Sequence, residues 1–157
     1  MEVYKNIKNR MIWALPFSLV LYFGCSKQQE TGSLLEDVLK IQTETPVMKF
    51  IETDEFLDVP RTKEELKRGD ITGYSDEEIA KIKAAIYRFY SNVELGADGR
   101  YAVNVAASKD IRISEEIFSV FKENIDGINA MLDEAAKSGV EYETPKITKE
   151  YLEILLR

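Results

Sequence analysis

The sequence contains no histidine and only one cysteine. Without histidine, Ser-His-Asp and Cys-His catalysis, His-ligated metal sites and His-based pH switches are excluded. A single cysteine cannot form an intramolecular disulfide. That cysteine, Cys25, and the only tryptophan, Trp13, both belong to the first 25 residues. No cofactor and no metal site are therefore expected in the remainder of the chain.

Positive charge is also scarce. The chain has 21 basic and 28 acidic residues, and without residues 1–24 the count is 18 basic against 27 acidic. Such an acidic chain repels phosphate backbones, which disfavours nucleic-acid binding and electrostatic docking on anionic lipid. Apolar residues make up 45% and charged residues 31% of the sequence, as in soluble globular proteins. We expect a folded domain whose acidity weakly favours cationic partners.

Residues 1–25 have the order of charge and hydropathy that is typical of a signal peptide. A positive segment with two lysines and one arginine precedes the apolar run MIWALPFSLVLYFG, which ends at Gly24. With 14 residues, this run is too short to cross the roughly 30 Å hydrocarbon core of a membrane as a helix. The sequence becomes polar directly after Cys25.

The border at Cys25 resembles a lipobox, the site that bacterial lipoprotein signal peptidase cuts after the cysteine is lipidated. Gly24 supplies the small residue that precedes the cysteine in that pattern. Tyr22 replaces the usual aliphatic residue and Phe23 is bulkier than usual, which resembles the looser lipobox of Bacteroidetes-type lipoproteins. The resemblance implies export, removal of residues 1–24 and lipid on Cys25, with the outer membrane of the cell envelope as the expected location. The alternative is an uncleaved signal anchor or a buried N-terminal helix.

Residues 25–32 are polar and contain Gly32, which predicts a flexible tether between the lipid and the domain. No repeat or linker divides residues 33–157, so we expect one globular domain there. This part also resembles small uncharacterised lipoproteins of Bacteroidetes type, although no motif carries the likeness. The chain stops within an apolar stretch, which leaves open that it is a truncated form of a longer protein.

Two long amphipathic helices are the clearest predicted elements. A capping box at Ser75 opens the first, which is predicted to run from Asp76 to about Glu94. Ser114 caps the second, and Gly139 ends it. The two apolar stripes need each other for burial, so we expect them to pack together. The residues predicted at their contact are Ile82, Ile86, Phe89, Phe118, Phe121 and Ile125.

Shorter elements complete the predicted fold. Helical patterns cover Leu34–Ile41, a brief segment that a capping box at Thr62 opens and that ends near Arg68, and a C-terminal helix over Lys149–Arg157. Residues 47–59 are interpreted as an extended or irregular stretch, and alternation over residues 101–106 predicts a strand. The predicted class is mainly α (α+β), with two long amphipathic helices, a C-terminal helix and a small β element.

Tyrosines near the end of the first long helix are candidate binding residues. Tyr87 and Tyr90 belong to that helix, and Tyr101 begins the predicted strand. Tyrosine is favoured at interfaces because it combines apolar area with a polar tip. The same residues are equally suited to the rim of a core, so both interpretations stay open.

An acidic segment offers a second set of candidates, namely Glu52, Asp54, Glu55 and Asp58. Paired carboxylates can hydrolyse glycosides, and clustered ones can bind Ca²⁺. The spacing matches no EF-hand loop, and a solvated acidic edge explains the same composition.

The thin inventory of reactive groups predicts a non-catalytic binding or interaction protein, displayed at the envelope by its lipid. An inhibitor or immunity protein that neutralises a basic enzyme or toxin would suit the acidity, and the partner would be a protein or a glycan. The alternative is a carboxylate-based glycan-active enzyme, or an accessory domain of one. That enzyme would need two carboxyl groups across a groove, about 5–5.5 Å or 6.5–9.5 Å apart.

Overall fold

A computed structural model describes residues 34–69, 71–139 and 144–156. Cys25, the predicted signal peptide and the predicted tether lie outside the described residues. The mainly α class is confirmed, because the described residues form two long helices, several short ones and a small two-stranded sheet. In chain order the elements are α1 (Leu34–Lys40), α2 (Val47–Glu52), α3 (Lys63–Arg68), α4 (Asp76–Tyr90), β1 (Val93–Leu95), β2 (Tyr101–Val103), a 3₁₀ turn (Ser108–Ile111), α5 (Glu115–Lys137) and α6 (Lys149–Leu155).

The two long helices, α4 and α5, begin as the sequence predicts. The Ser75 hydroxyl accepts a hydrogen bond from the backbone N–H of Glu78, whose carboxylate accepts one from the backbone N–H of Ser75. The Ser114 hydroxyl accepts from the backbone N–H of Ile117. These caps bind N–H groups that have no partner within the helix, and each contributes about 1 kcal/mol.

Part of the core lies between α4 and α5, and buried residues of α1, α2, α3 and α6 extend it. Phe89 of α4 is fully buried, and its ring meets those of Phe118 and Phe121 edge-on, with centroids 5.4 and 5.5 Å apart. Full burial of one such side chain contributes about 1.5–3 kcal/mol, and an edge-on aromatic pair adds about 0.5–1.5 kcal/mol. The predicted burial of the contact residues is confirmed for Ile82, Ile86, Phe89, Phe118, Phe121 and Ile125.

Helix α4 ends at Tyr90, and the prediction that it continues to Glu94 is wrong. Val93 is buried as a strand residue, because it pairs antiparallel with Val103 of β2. The side-chain amide of Asn92 donates to the carbonyl oxygen of Arg88, which helps to close the helix. The strand predicted over residues 101–106 is confirmed only as far as Val103.

The extended or irregular conformation predicted for residues 47–59 is wrong over the first half, where α2 forms. This short helix packs on α4 and buries Phe50, so tertiary contact stabilises it more than local propensity. The second half contains no helix, as predicted. There the N–H of Leu57 donates to Arg112 at 2.8 Å, and the N–H of Ser114 donates to Leu57 at 2.9 Å, in an isolated parallel bridge.

The predicted short helices also form. Helix α3 begins at a capping box on Thr62 and ends at Gly69, whose φ of 66° is one that glycine adopts without strain. Lys63 and Lys67 both pair with Glu123, which links α3 to α5. Within the three described ranges, no helix has the length and apolar character needed to cross a membrane.

Candidate functional site

The segment that contains α2, residues 41–55, is held along α4 through its backbone. At the start of α4 the carboxylate of Asp76 accepts hydrogen bonds from the N–H groups of Glu44 and Thr45, at 2.9 and 2.6 Å. The Thr45 hydroxyl, then these N–H groups, lower the pKa of Asp76, because hydrogen bonds to a carboxylate favour its charged form. Asp76 therefore fixes the turn that precedes α2.

Lys83 binds the beginning of the same segment. Its side chain is only 2% exposed, and its ammonium donates to the carbonyl oxygen of Ile41 at 2.6 Å. Burial lowers the pKa of Lys83, because loss of water disfavours the ammonium form. A buried charge is costly unless it is paired or hydrogen-bonded, so the bond to Ile41 is needed to keep this lysine inside.

Arg88 binds the far end of the segment. A planar guanidinium carries five N–H donors in a fixed geometry, so one side chain can hold several carbonyl groups at once. Its acceptors are the carbonyl oxygens of Thr53 at 2.6 Å, Phe50 at 2.7 Å, Glu55 at 2.8 Å and Arg112 at 3.1 Å. We call Asp76, Lys83 and Arg88 the backbone clamp. The clamp makes residues 41–55 a rigid part of the fold.

An open cleft with a volume of about 190 Å³ lies between this segment and α6. Most of its lining is apolar, and Met48 at its edge is 43% exposed. The lining residues are Thr43, Thr45, Pro46, Val47, Met48, Ile51, Glu153 and Leu156. The cleft therefore has one wall that the backbone clamp holds and a second wall formed by α6.

Tyr101 places the second wall. Its hydroxyl donates to the carbonyl oxygen of Pro145 at 2.8 Å, just before α6, and Leu152 and Leu156 bury α6 against the core. Asn129 fixes the backbone of Tyr101 by accepting from its N–H at 2.9 Å and donating to its carbonyl at 2.8 Å. Burial raises the pKa of Tyr101 to about 12, so the hydroxyl stays a donor at neutral pH.

The polar groups of the cleft differ in their partners. The Thr43 hydroxyl donates to the carbonyl oxygen of Thr45 at 3.0 Å, and the Thr45 hydroxyl bonds to Asp76. Glu153 is the only charged residue of the lining. Its carboxylate makes no hydrogen bond or ion pair with any residue in the described part of the chain. Glu153 is thus the polar group that the cleft offers to a ligand.

The structure does not gather the predicted tyrosines into an exposed face. Tyr90 and Tyr101 are 2% and 8% exposed, and only Tyr87 is half-buried. The Tyr90 hydroxyl donates to Asn124 at 3.1 Å, so its polar tip is satisfied inside the protein. Two of the three rings therefore belong to the core, which is one of the two interpretations that the sequence leaves open, and a role of the three in binding stays a prediction. Tyr101 acts instead on the position of α6.

The acidic candidates stay on the surface and do not line the cleft. Asp54 pairs with Arg112, and Glu55 lies 3.9 Å from Lys81. Glu52 and Asp58 are also exposed. Among the residues that the structure describes, no group of three or more His, Cys, Asp or Glu side chains is placed to hold a metal ion.

No family model, curated protein or solved structure matches the chain. Its function is therefore inferred from the residues and from the cleft.

Proposed function

We propose that this protein is a lipid-anchored lipoprotein of a bacterial envelope, and that its domain binds a partner without catalysing a reaction. The binding role rests on one observation, the rigid and open apolar cleft between residues 43–51 and α6. Preformed concave sites with an apolar lining and few polar groups are the usual form of binding sites. The backbone clamp and the Tyr101 bond support preformation, because they fix both walls.

The size of the cleft supports a side chain of a partner as the group that is bound. Sites for drug-sized molecules measure about 300–1,000 Å³. The volume here is about 190 Å³. An apolar cavity of about 150 Å³ accommodates a benzene-sized molecule, so this cleft suits one branched aliphatic or small aromatic group. A protein partner that inserts one side chain fits better than a whole metabolite.

The proposed anchor would keep the cleft close to the membrane. Residues 26–33 separate the lipidated Cys25 from α1. Eight residues reach at most about 30 Å when fully extended. The partner would thus be met at the envelope surface, with the outer membrane as the expected location.

The glycan-active alternative has less support. Glycoside hydrolysis uses two carboxyl groups that flank the substrate. Glu153 is the only carboxylate in the lining of the cleft, and the exposed acidic candidates lie elsewhere. The cleft therefore does not supply the pair.

The anchor is tested by Cys25→Ser in a bacterial host that is fed labelled fatty acid. We expect the variant to remain an uncleaved precursor without label, while Ser26→Ala is processed and labelled like the wild type. Normal processing and labelling of Cys25→Ser would refute the lipoprotein assignment.

The binding role is tested with residues 26–157 as bait in envelope extracts of the producing bacterium. Met48→Asp places a charge at the cleft, and Phe56→Asp makes the same change at another exposed apolar residue, 53% exposed and outside the lining. We expect a partner that the wild type and Phe56→Asp capture and that Met48→Asp loses, with all three folded by circular dichroism. Identical capture by the three proteins would remove the cleft as the binding site.

A further inference from the structure

We infer that the cleft takes an aliphatic side chain that stands beside a positively charged one, so that the partner is a basic amphipathic segment of another protein. This inference rests on the proposed binding function and specifies its ligand. It combines two properties of the site: an apolar lining that fits one side chain, and a carboxylate in the same lining, that of Glu153, which has no partner among the residues that the structure describes.

The apolar lining of the cleft favours the first group of the ligand, the aliphatic side chain. Val47, Met48 and Ile51 line the wall that the backbone clamp holds, and Leu156 lines the opposite wall. These side chains offer contact but no hydrogen bond to a polar group. Ile154, next to Glu153 on α6, is 74% exposed and adds apolar surface on the same helix. A leucine-sized group that binds in the cleft would cover apolar surface on both walls, and removing this surface from water favours binding.

Glu153 favours the second group of the ligand, the positively charged side chain. It lies between Leu152 and Leu156, which are buried, so the helix fixes the point from which its carboxylate extends. The negative charge of Glu153 would repel an anionic group of a ligand next to the cleft, whereas a cationic group would form an ion pair with it. Charge complementarity of this kind contributes to specificity and to the rate of association. Without residues 1–24 the chain has 18 basic and 27 acidic residues, and this excess of negative charge attracts the same class of partner at longer range.

The lysines near the cleft do not cancel this preference. Lys49 follows Met48, but its ammonium lies 5.3 Å from the ring centroid of Phe50. Lys149 lies one turn before Glu153 on α6 and makes no ion pair with it. Neither lysine belongs to the lining.

Two other occupants fit less well. A second copy of the chain would bring an equally acidic domain to an acidic cleft, which is electrostatically unfavourable. A phospholipid would bring an anionic phosphate and a tail much larger than a cleft of about 190 Å³. Both remain distinguishable outcomes of the experiment below.

The experiment is an NMR titration of ¹⁵N-labelled residues 26–157 with three short peptides that share a Gly-Ser background. Their central residues are Lys-Leu-Lys, Glu-Leu-Glu and Lys-Ala-Lys. We expect Lys-Leu-Lys to shift the amides of residues 43–51 and of α6, and to bind at least tenfold tighter than either matched peptide. Raising the salt concentration should reduce this preference, because ions screen exposed charges.

Variants of the protein test which residues cause the preference for a cationic group and the preference for an aliphatic group. Glu153→Gln should weaken Lys-Leu-Lys binding at least fivefold and remove its advantage over Glu-Leu-Glu. Met48→Gln should weaken the binding of both peptides that contain leucine. The matched controls are Glu134→Gln, the same change on the exposed face of α5, and Phe56→Ala. Both controls should bind like the wild type.

The outcomes separate this inference from the proposed function. Equal affinity for Lys-Leu-Lys and Glu-Leu-Glu, or normal binding by Glu153→Gln, would overturn the cationic preference and leave the apolar cleft as a binding site. If no peptide shifts the cleft amides, the ligand class is wrong, and the envelope capture with Met48→Asp decides the binding role separately. Shifts of the same amides on dilution, or on addition of phosphatidylglycerol vesicles, would replace the peptide with a second copy or a lipid.

Discussion

The hydroxyl of Tyr101 donates to the carbonyl oxygen of Pro145 across 2.8 Å, and this bond ties β2 to the segment that leads into α6. The two residues are far apart in sequence, so the bond determines where the last helix lies. Because α6 forms a wall of the cleft, a phenol in the core supports the geometry of a surface site.

Removal of this hydroxyl by Tyr101→Phe should cost about 0.5–1.5 kcal/mol of the free energy of unfolding, measured by urea denaturation. Amide hydrogen exchange in α6 should accelerate more than in α4, because the bond acts on the approach to α6. The control is Tyr87→Phe, whose half-buried ring has no hydrogen bond from its hydroxyl to a described residue. Equal losses of unfolding free energy in the two variants would mean that the hydrogen bond to Pro145 does not contribute to stability.

The core between α4 and α5 is tested by Phe121→Ala. Phe121 has no exposed surface, so the substitution removes buried contacts and leaves a cavity. We expect a loss of about 3–5 kcal/mol in the free energy of unfolding. Phe56→Ala makes the same chemical change at a side chain that is 53% exposed, and should stay within about 0.5 kcal/mol of the wild type. A loss below about 1 kcal/mol for Phe121→Ala would contradict the packing of the two helices.

The guanidinium of Arg88 is tested by Arg88→Lys, which retains the charge and removes the planar fork. An ammonium cannot reach the four carbonyl oxygens together, so we expect a loss of about 1.5–3 kcal/mol, the value of a hydrogen bond to a charged group. The control Arg68→Lys changes an exposed residue at the end of α3 and should have little effect. Unfolding midpoints that coincide for the two variants would rule out this role for Arg88.

The carboxylate of Asp76 predicts a pH-dependent difference in stability. Its pKa in the folded protein is lowered from 3.8, so ionisation stabilises the fold above that value, and the contribution is lost as the pH falls through the folded pKa. Asp76→Asn should therefore melt below the wild type at neutral pH. The two melting temperatures should converge below about pH 4, as followed by circular dichroism. A gap that is constant over this pH range would show that ionisation of Asp76 does not contribute.

Local signals account for the parts of the fold that the sequence predicts correctly. The capping boxes at Thr62 and Ser75 are confirmed because serine, threonine and glutamate act within one turn of helix. The burial of Phe89 and Phe121 follows from apolar periodicity alone. Val93 shows the limit of that signal: it continues the helical stripe, yet pairing with Val103 makes it a strand residue.

The cleft could not be predicted in the same way, since its two walls come from distant parts of the chain. Val47, Phe50 and Ile51 have the spacing of a helix face after Pro46, but three residues are too few to predict a helix without the contact with α4. Nothing in the sequence near Arg88 indicates that its side chain collects carbonyl groups. The burial of Tyr90 and Tyr101 could not be predicted for a related reason, because the type of residue does not distinguish a ring at an interface from one that closes a core.

The backbone clamp grips main-chain atoms, which every amino acid possesses. Exchange of an outward-facing residue such as Met48 therefore leaves the bonds from Asp76, Lys83 and Arg88 in place. The segment can change what it recognises without changing its course, much as an antibody loop varies on a constant framework. Among divergent descendants of this chain, we expect the surface of residues 43–51 to drift first, while the three charged side chains beneath it persist.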